Sequence, residues 1–250
     1  MSSHIRVILA RPQEPRNIGA ACRAAKNFGI EKVDVVLRGV FDREAAWPMS
    51  IGAGDVFERI TRYETLADAV ADASLVVGAT RRLGQRRKES AWQPWEFARR
   101  AALLAPAEVA LVFGNERSGL DDEELMECSA AVAIPTSPGC PSMNLSHAVS
   151  LLCYEISLAQ AGVDRSGPSG RTPGGEGALT RSELGGLVRE MLLQINQAGI
   201  PTQEGPQGMG SFLTDVLGRA AVNGFEANRL LKIVQALAWK RPEPDPRPEA

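Results

Sequence analysis

Five short apolar runs punctuate the first 160 residues: 5–10, 33–37, 74–80, 109–114 and 130–135. Each is continuous rather than alternating, the pattern of strands buried on both faces. Between them the apolar positions return at helical spacing. Residues 17–28 carry alanines at helical density before Gly29, a stop signal. Residues 66–73, 94–105 and 121–128 predict further helices. In 144–161, Val149, Leu152, Cys153 and Ile156 fall on one stripe. Alternation of this kind predicts an α/β fold, a parallel sheet with helices on both faces. A Gly/Ser/Pro-rich stretch then interrupts the pattern. Thr180 and Glu183 fit a capping box, and Leu184, Leu187, Val188, Met191, Leu192 and Ile195 mark the apolar face behind it. A loop is expected over 199–210, then helices over 212–222 and 226–239. The predicted organisation is an α/β domain over 1–163, a flexible linker over 164–178, a small all-α unit over 179–240 and a disordered Pro/charge tail over 241–250.

Composition narrows the chemistry. The chain has 250 residues, 44% hydrophobic and 23% charged, with a formal net charge of -2. The chain as a whole is therefore not a cationic adhesive for nucleic acid, although a local basic patch is compatible with it. It contains no long apolar run and no signal-peptide pattern, so cytoplasmic residence is expected. Cys22, Cys128, Cys140 and Cys153 lack C-x-x-C spacing and predict reduced thiols, most of them structural. His4 and His147 are the only histidines. That is thin material for a zinc site or a Ser-His-Asp triad, and no metal is expected. Gly52-Ala-Gly54 lacks the third glycine of a dinucleotide fingerprint.

Three segments remain that carry chemistry. Gly114-Asn-Glu-Arg-Ser-Gly119 follows a strand, on the sheet edge where open α/β sheets bind ligands. An ordinary strand-to-helix loop, with Asp121 as cap, would look the same. Ile134-Pro135 and Ser142-Met-Asn144-Leu145 bracket a Pro/Gly-rich loop able to wall a pocket, while Asn144 or Ser146 would equally cap the next helix. Asn17 and Arg23 are placed at the start of the first long helix, with Asn27 the i, i+4 neighbour of Arg23 and Arg16 in the preceding turn, a placement suited to phosphate; a solvated basic face is the commoner fate of such arginines. Arg81, Arg82, Arg86, Arg87 and Lys88, followed by Trp92 and Trp95, combine charge with stacking surfaces, as RNA-binding segments do and as exposed loops also can.

In order, these segments resemble the motifs of the SpoU/TrmH branch of the SPOUT RNA methyltransferases. The motifs are N-x-G-x-x-x-R-x-x-x-x-F-G from Asn17, F-G-x-E-x-x-G-L from Phe113, and I-P followed by S-x-N-x-S-x-A from Ile134. The likeness covers roughly residues 5–160, and the helical C-terminal unit is most similar to the TrmJ type. The resemblance implies a trefoil knot around residues 74–160 (the SPOUT fold) and a homodimer. It implies S-adenosyl-L-methionine as methyl donor and ribose 2′-O-methylation of RNA, with tRNA nucleotide 32 in the anticodon loop as target. The donor would lie against Ala79, Thr80, Arg81, Gly114, Asn115, Glu116, Ile134, Pro135, Ser142, Met143, Asn144 and Leu145. Arg23 matches the catalytic arginine, with Asn17, Glu116, Ser142 and Asn144 expected to orient it or the ribose. Two roles stand open for Arg23: a base activated by a bound phosphate, or a group that only positions phosphate and ribose, since guanidinium ordinarily stays protonated. Arg11, Arg16, Arg23, Arg82, Arg86, Arg87 and Lys88 are the expected RNA contacts. The alternatives are another tRNA position, rRNA, a non-catalytic RNA-binding protein of the same fold, or a cofactor-binding scaffold without RNA.

Overall fold

The computed structural model describes residues 4–81, 90–162, 177–201 and 205–239. The expected linker, apart from its last residues, the tail, and Arg82, Arg86, Arg87 and Lys88 lie outside them. Six strands form one parallel sheet: β1 (Ile5–Ala10), β2 (Lys32–Val36), β3 (Arg62–Tyr63), β4 (Leu75–Ala79), β5 (Val109–Phe113) and β6 (Ala130–Val132). Their spatial order is β3-β2-β1-β5-β4-β6, with every pairing parallel.

Alternate residues of β1 explain the two layers. Ile5, Val7 and Leu9 join a core with α1 (Pro15–Asn27), α5 (Pro94–Leu103) and α7 (Leu145–Gln160), while Ile8 and Ala10 join a second core with α4 (Leu66–Val70) and α6 (Asp122–Glu127). Both faces of the sheet are thus covered, which accounts for the continuous apolar runs.

Register sets where the strands end. Ala79 of β4 lies beside both Phe113 of β5 and Val132 of β6, and Phe113 also lies beside Leu9 of β1. Four strands therefore end level, and the loops leaving them start as neighbours.

Some elements differ from expectation. β6 stops at Val132 rather than 135. Pro135 has no N–H for a ladder and restricts the residue before it. Between β2 and β3 lie three short pieces that no periodicity signalled: α2 (Arg43–Ala46), a 3-10 turn (Trp47–Ser50) and α3 (Gly54–Glu58). α9 begins at Gly205, inside the expected loop, and runs to Ala220. Gly and Pro normally read as breakers, but Pro206 stands in the first turn, where a missing N–H costs nothing. Gly210 faces α8 (Arg181–Gln197), where an added Cβ would come within 3.2 Å of Leu192.

With α10 (Gly224–Trp239), α8 and α9 bury Leu184, Val188, Met191, Leu217 and Val222 in a small core of their own. That unit is seated on the sheet domain by the free N–H groups at the start of α8. Arg181 N donates to Ala73 O at 2.5 Å and Ser182 N to Ala71 O at 3.1 Å. The Arg181 side chain reaches the Glu127 carbonyl at 3.2 Å. Gly218 lies so close to Ser129 that a Cβ would come within 2.6 Å of it. Each such backbone bond contributes about 1 kcal/mol net, so the small core is supported by docking.

Candidate functional site

The level strand ends open into one pocket. Its floor is Ala79, Phe113 and Val132, the last residues of β4, β5 and β6, and its walls are the loops beyond them. Of the twelve residues expected at a donor site, ten line it: Ala79, Thr80, Arg81, Gly114, Asn115, Glu116, Ile134, Ser142, Met143 and Leu145. Pro135 and Asn144 do not. Phe113, Arg117, Ser118, Gly119, Leu120, Val132, Thr136, Pro141 and Ala148 also line it and were not among those twelve. Phe113, Gly119, Leu120 and Ala148 are themselves motif positions, Arg117 and Ser118 lie inside the 114–119 segment, and Thr136 and Pro141 lie in the loop that the third motif brackets.

The 114–120 wall is built by backbone geometry. Gly114 sits where a Cβ would be 2.1 Å from Leu120 N, so no side chain fits there. Gly119 turns with φ 69°, a left-handed value glycine adopts without strain. Asn115, buried, closes the turn: its Oδ1 accepts from Arg117 N at 2.9 Å and Ser118 N at 3.2 Å. The opposite wall is closed by Thr136 Oγ1 donating to Pro141 O at 3.1 Å.

Glu116 points out of this loop to the start of α1. Its carboxylate accepts from Gln13 N at 2.8 Å, Glu14 N at 3.2 Å and Asn17 Nδ2 at 3.0 Å. A carboxylate belongs there, because a helix N-terminus presents unpaired N–H groups and a positive dipole end. Burial alone would raise the carboxyl pKa. The bonds from the Asn17 side chain and the backbone at Gln13, Glu116 and Glu14 outweigh it and hold the group below the usual 4.5. Such a group stabilises the fold fully above pH 4.5, and its contribution is lost as pH falls through the lower folded value. The difference in melting temperature between the wild type and Glu116→Gln is therefore expected to shrink below about pH 4.5, as thermal unfolding across pH 3–7 will read.

Asn17 passes the connection on. With Nδ2 committed to Glu116, its Oδ1 accepts from Asn144 Nδ2 at 3.2 Å. Asn144 in turn caps α7, its Oδ1 accepting from Ser146 N at 2.9 Å, Ser146 Oγ at 2.7 Å and His147 N at 3.4 Å. Both amide orientations are fixed chemically, since an ionised carboxylate only accepts and a helix N–H only donates. Glu116, Asn17 and Asn144, one from each motif, thus form a single chain of hydrogen bonds. For Asn144, capping and the link to Asn17 coexist.

The arginines separate into different roles. Arg16 and Arg23, seven residues apart on α1, are both exposed on one face. Among the described residues Arg23 has no recorded hydrogen bond or ion pair, and it does not line the pocket. Arg81 does line it. Arg11, expected to meet RNA, is partly exposed and ion-paired with Glu124 and Asp121. Trp92 is half-buried, pairs with β6 beside Val132 and carries Arg100 over its ring at 4.8 Å; Trp95 is exposed. All four cysteines are free thiols. Burial pushes those of Cys22 and Cys153 up to about 12, which leaves them unreactive. Cys140 is exposed on the loop between the Ile134 and Ser142 segments. Among the described residues no cluster of His, Cys, Asp or Glu could hold a metal ion. No described helix is long and apolar enough to cross a membrane.

Known proteins resemble this chain in sequence and fold. The family described as the SpoU rRNA Methylase family matches residues 4–154. A tRNA (cytidine/uridine/adenosine-2′-O-)-methyltransferase TrmJ from Pseudomonas aeruginosa is 32% identical over 257 residues, spanning 96% of this chain and 99% of its own length. A tRNA (cytidine/uridine-2′-O-)-methyltransferase TrmJ from Yersinia pestis is 39% identical over 163 residues, 64% of this chain and 62% of that protein. Among solved structures, TrmJ from Z. mobilis ZM4 superimposes with a TM-score of 0.71 at 26% identity, covering 93% of this chain and 98% of that one.

Proposed function

This chain belongs to the SpoU rRNA Methylase family, and on that premise we propose that it is an S-adenosyl-L-methionine-dependent tRNA ribose 2′-O-methyltransferase acting on nucleotide 32 of the anticodon loop. The observation that carries the reading is the Glu116–Asn17–Asn144 chain, which ties a pocket at three strand ends to the helix that presents Arg23. The reading favours tRNA over rRNA because the two TrmJ relatives are named as tRNA enzymes, one of them aligned along 96% of this chain.

The pocket fits the donor. Phe113, Leu120, Val132, Ile134 and Leu145 give apolar surface suited to an adenine. Thr80, Arg117 and Ser118 add polar groups, and Gly114 lets the 114–120 wall close tightly on itself. The donor supplies a methyl group on a positively charged sulfur. What remains for the protein is to bring a ribose 2′-OH to that methyl and to provide for its proton. Glu116 is spent on anchoring α1, so it orients rather than accepts the proton. Asn17 and Asn144 hold the two helix starts in register, and Ser142, exposed on the pocket rim, is left to meet the ribose.

Arg23 lies six residues beyond Asn17, about 9 Å further along α1 at 1.5 Å per residue. It does not line its own pocket, and in the homodimer of this reading it serves the pocket of a second copy. Arg16 on the same face and Arg81 at the pocket mouth would take neighbouring phosphates. A trefoil knot around residues 74–160, an α/β domain over 1–163 with a separate helical unit over 179–240, and cytoplasmic residence beside tRNA complete the proposal.

The purified protein, incubated with labelled donor and total RNA, is expected to label the tRNA fraction and yield 2′-O-methylated nucleosides by mass spectrometry. Label confined to ribosomal RNA, or a methyl on the base, would overturn it.

A further inference from the structure

Arg11 stands between the two halves of the site, just past the end of β1. Its backbone is left-handed, φ 51°, a conformation that a residue with a side chain keeps only where its surroundings over-determine it. Three sets of bonds do so. Its N–H donates to Val36 O at 2.8 Å. Its carbonyl accepts from Asn115 Nδ2 at 2.8 Å. Its guanidinium grips Glu124 with both arms, Nε at 2.6 Å and Nη2 at 2.8 Å, and Nη2 also reaches Asp121 at 3.0 Å and the Gly119 carbonyl at 3.4 Å. Glu124 is 8% exposed, so its carboxylate depends on that cation.

These contacts fasten both ends of one loop. Asn115 is the start of the 115–120 pocket wall, and Gly119, with Asp121 and Glu124 behind it, is the end. A phosphate reaching Arg11 would have to share its guanidinium with two carboxylates.

We propose that Arg11 is a positioning residue for the methyl donor: it locks the 115–120 wall in its binding shape, and it is not an RNA contact. The proposal rests on the assignment of that pocket to S-adenosylmethionine.

Calorimetric titration with S-adenosylmethionine and tRNA binding over a salt series test it together. Arg11→Gln is expected to weaken donor binding about tenfold while the slope of log K against log salt for tRNA stays unchanged. Turnover at saturating donor should fall far less than donor affinity. Arg11→Lys, which keeps the charge and loses the fork, should share the donor defect. Glu124→Gln should reproduce it, and the double variant Arg11→Gln/Glu124→Gln should be no worse than either alone. If Arg11→Gln loses cooperative unfolding, Glu124→Gln, which keeps the arginine and a cap acceptor, decides. Unchanged donor affinity with a salt slope reduced by about 1 overturns the proposal in favour of a phosphate contact. Failure of the wild type itself to bind the donor would instead reject the pocket assignment.

Discussion

Replacing Arg23 with alanine is expected to lower methyl transfer about 10³-fold at saturating donor and tRNA, with donor affinity and melting temperature unchanged. The stability half follows from position. Arg23 is exposed and, among the described residues, makes no recorded hydrogen bond or ion pair. Removing such a side chain usually changes stability by less than about 0.5 kcal/mol. The activity half follows from chemistry. In the proposed reaction Arg23 is the group free to hold phosphate and ribose together, because Glu116, Asn17 and Asn144 are already bonded to one another. Arg23→Lys keeps the charge but loses the planar fork, so it should also be severely slowed. Near-normal turnover of the lysine variant would contradict both roles of Arg23. The pH profile separates them: a base gives a rate that climbs with pH to a plateau, whereas a positioning cation leaves no such limb.

Gly114→Ala should be the most damaging change at the pocket. The added Cβ would lie 2.1 Å from Leu120 N and 2.2 Å from Gly119 C, both backbone atoms that cannot swing aside. The loop must move, at a cost of about 3 kcal/mol. A displacement on the order of 1 Å at a binding wall corresponds to about 100-fold in function. Calorimetry should therefore show donor binding weakened by that factor or abolished. Gly139→Ala is the control, since a Cβ there meets nothing closer than 3.9 Å and should leave affinity near wild type.

The parallel sheet was legible because continuous apolar runs and helical stripes are local patterns. Residues 43–63 were opaque because elements of two to five residues are too short to show a period. The start of α9 was hidden because the sequence shows Pro206, Gly208 and Gly210 but not α8 packed against them. At the site, the ordered motifs led to most of the pocket lining, since those residues sit at strand ends that alternation locates. Their wiring could not be read. Glu116 meets Asn17 only because Leu9 pairs with Phe113, and the 134–145 segment joins them only because Val132 lies beside Ala79 and Ala79 beside Phe113. Arg11 shows the same limit in reverse. The sequence shows a cation just before a helix start, and only the fold brings Glu124, 113 positions away, against it.

If this pocket and this helix together methylate the ribose of nucleotide 32, the reaction must depend on one hydroxyl. Purified protein and labelled donor are therefore supplied with two tRNA transcripts, identical except that one carries 2′-deoxyribose at nucleotide 32. The expected result is label in the ribose transcript and none in the deoxy transcript. Equal labelling of both, or labelling of neither under conditions where the donor binds, would contradict that assignment.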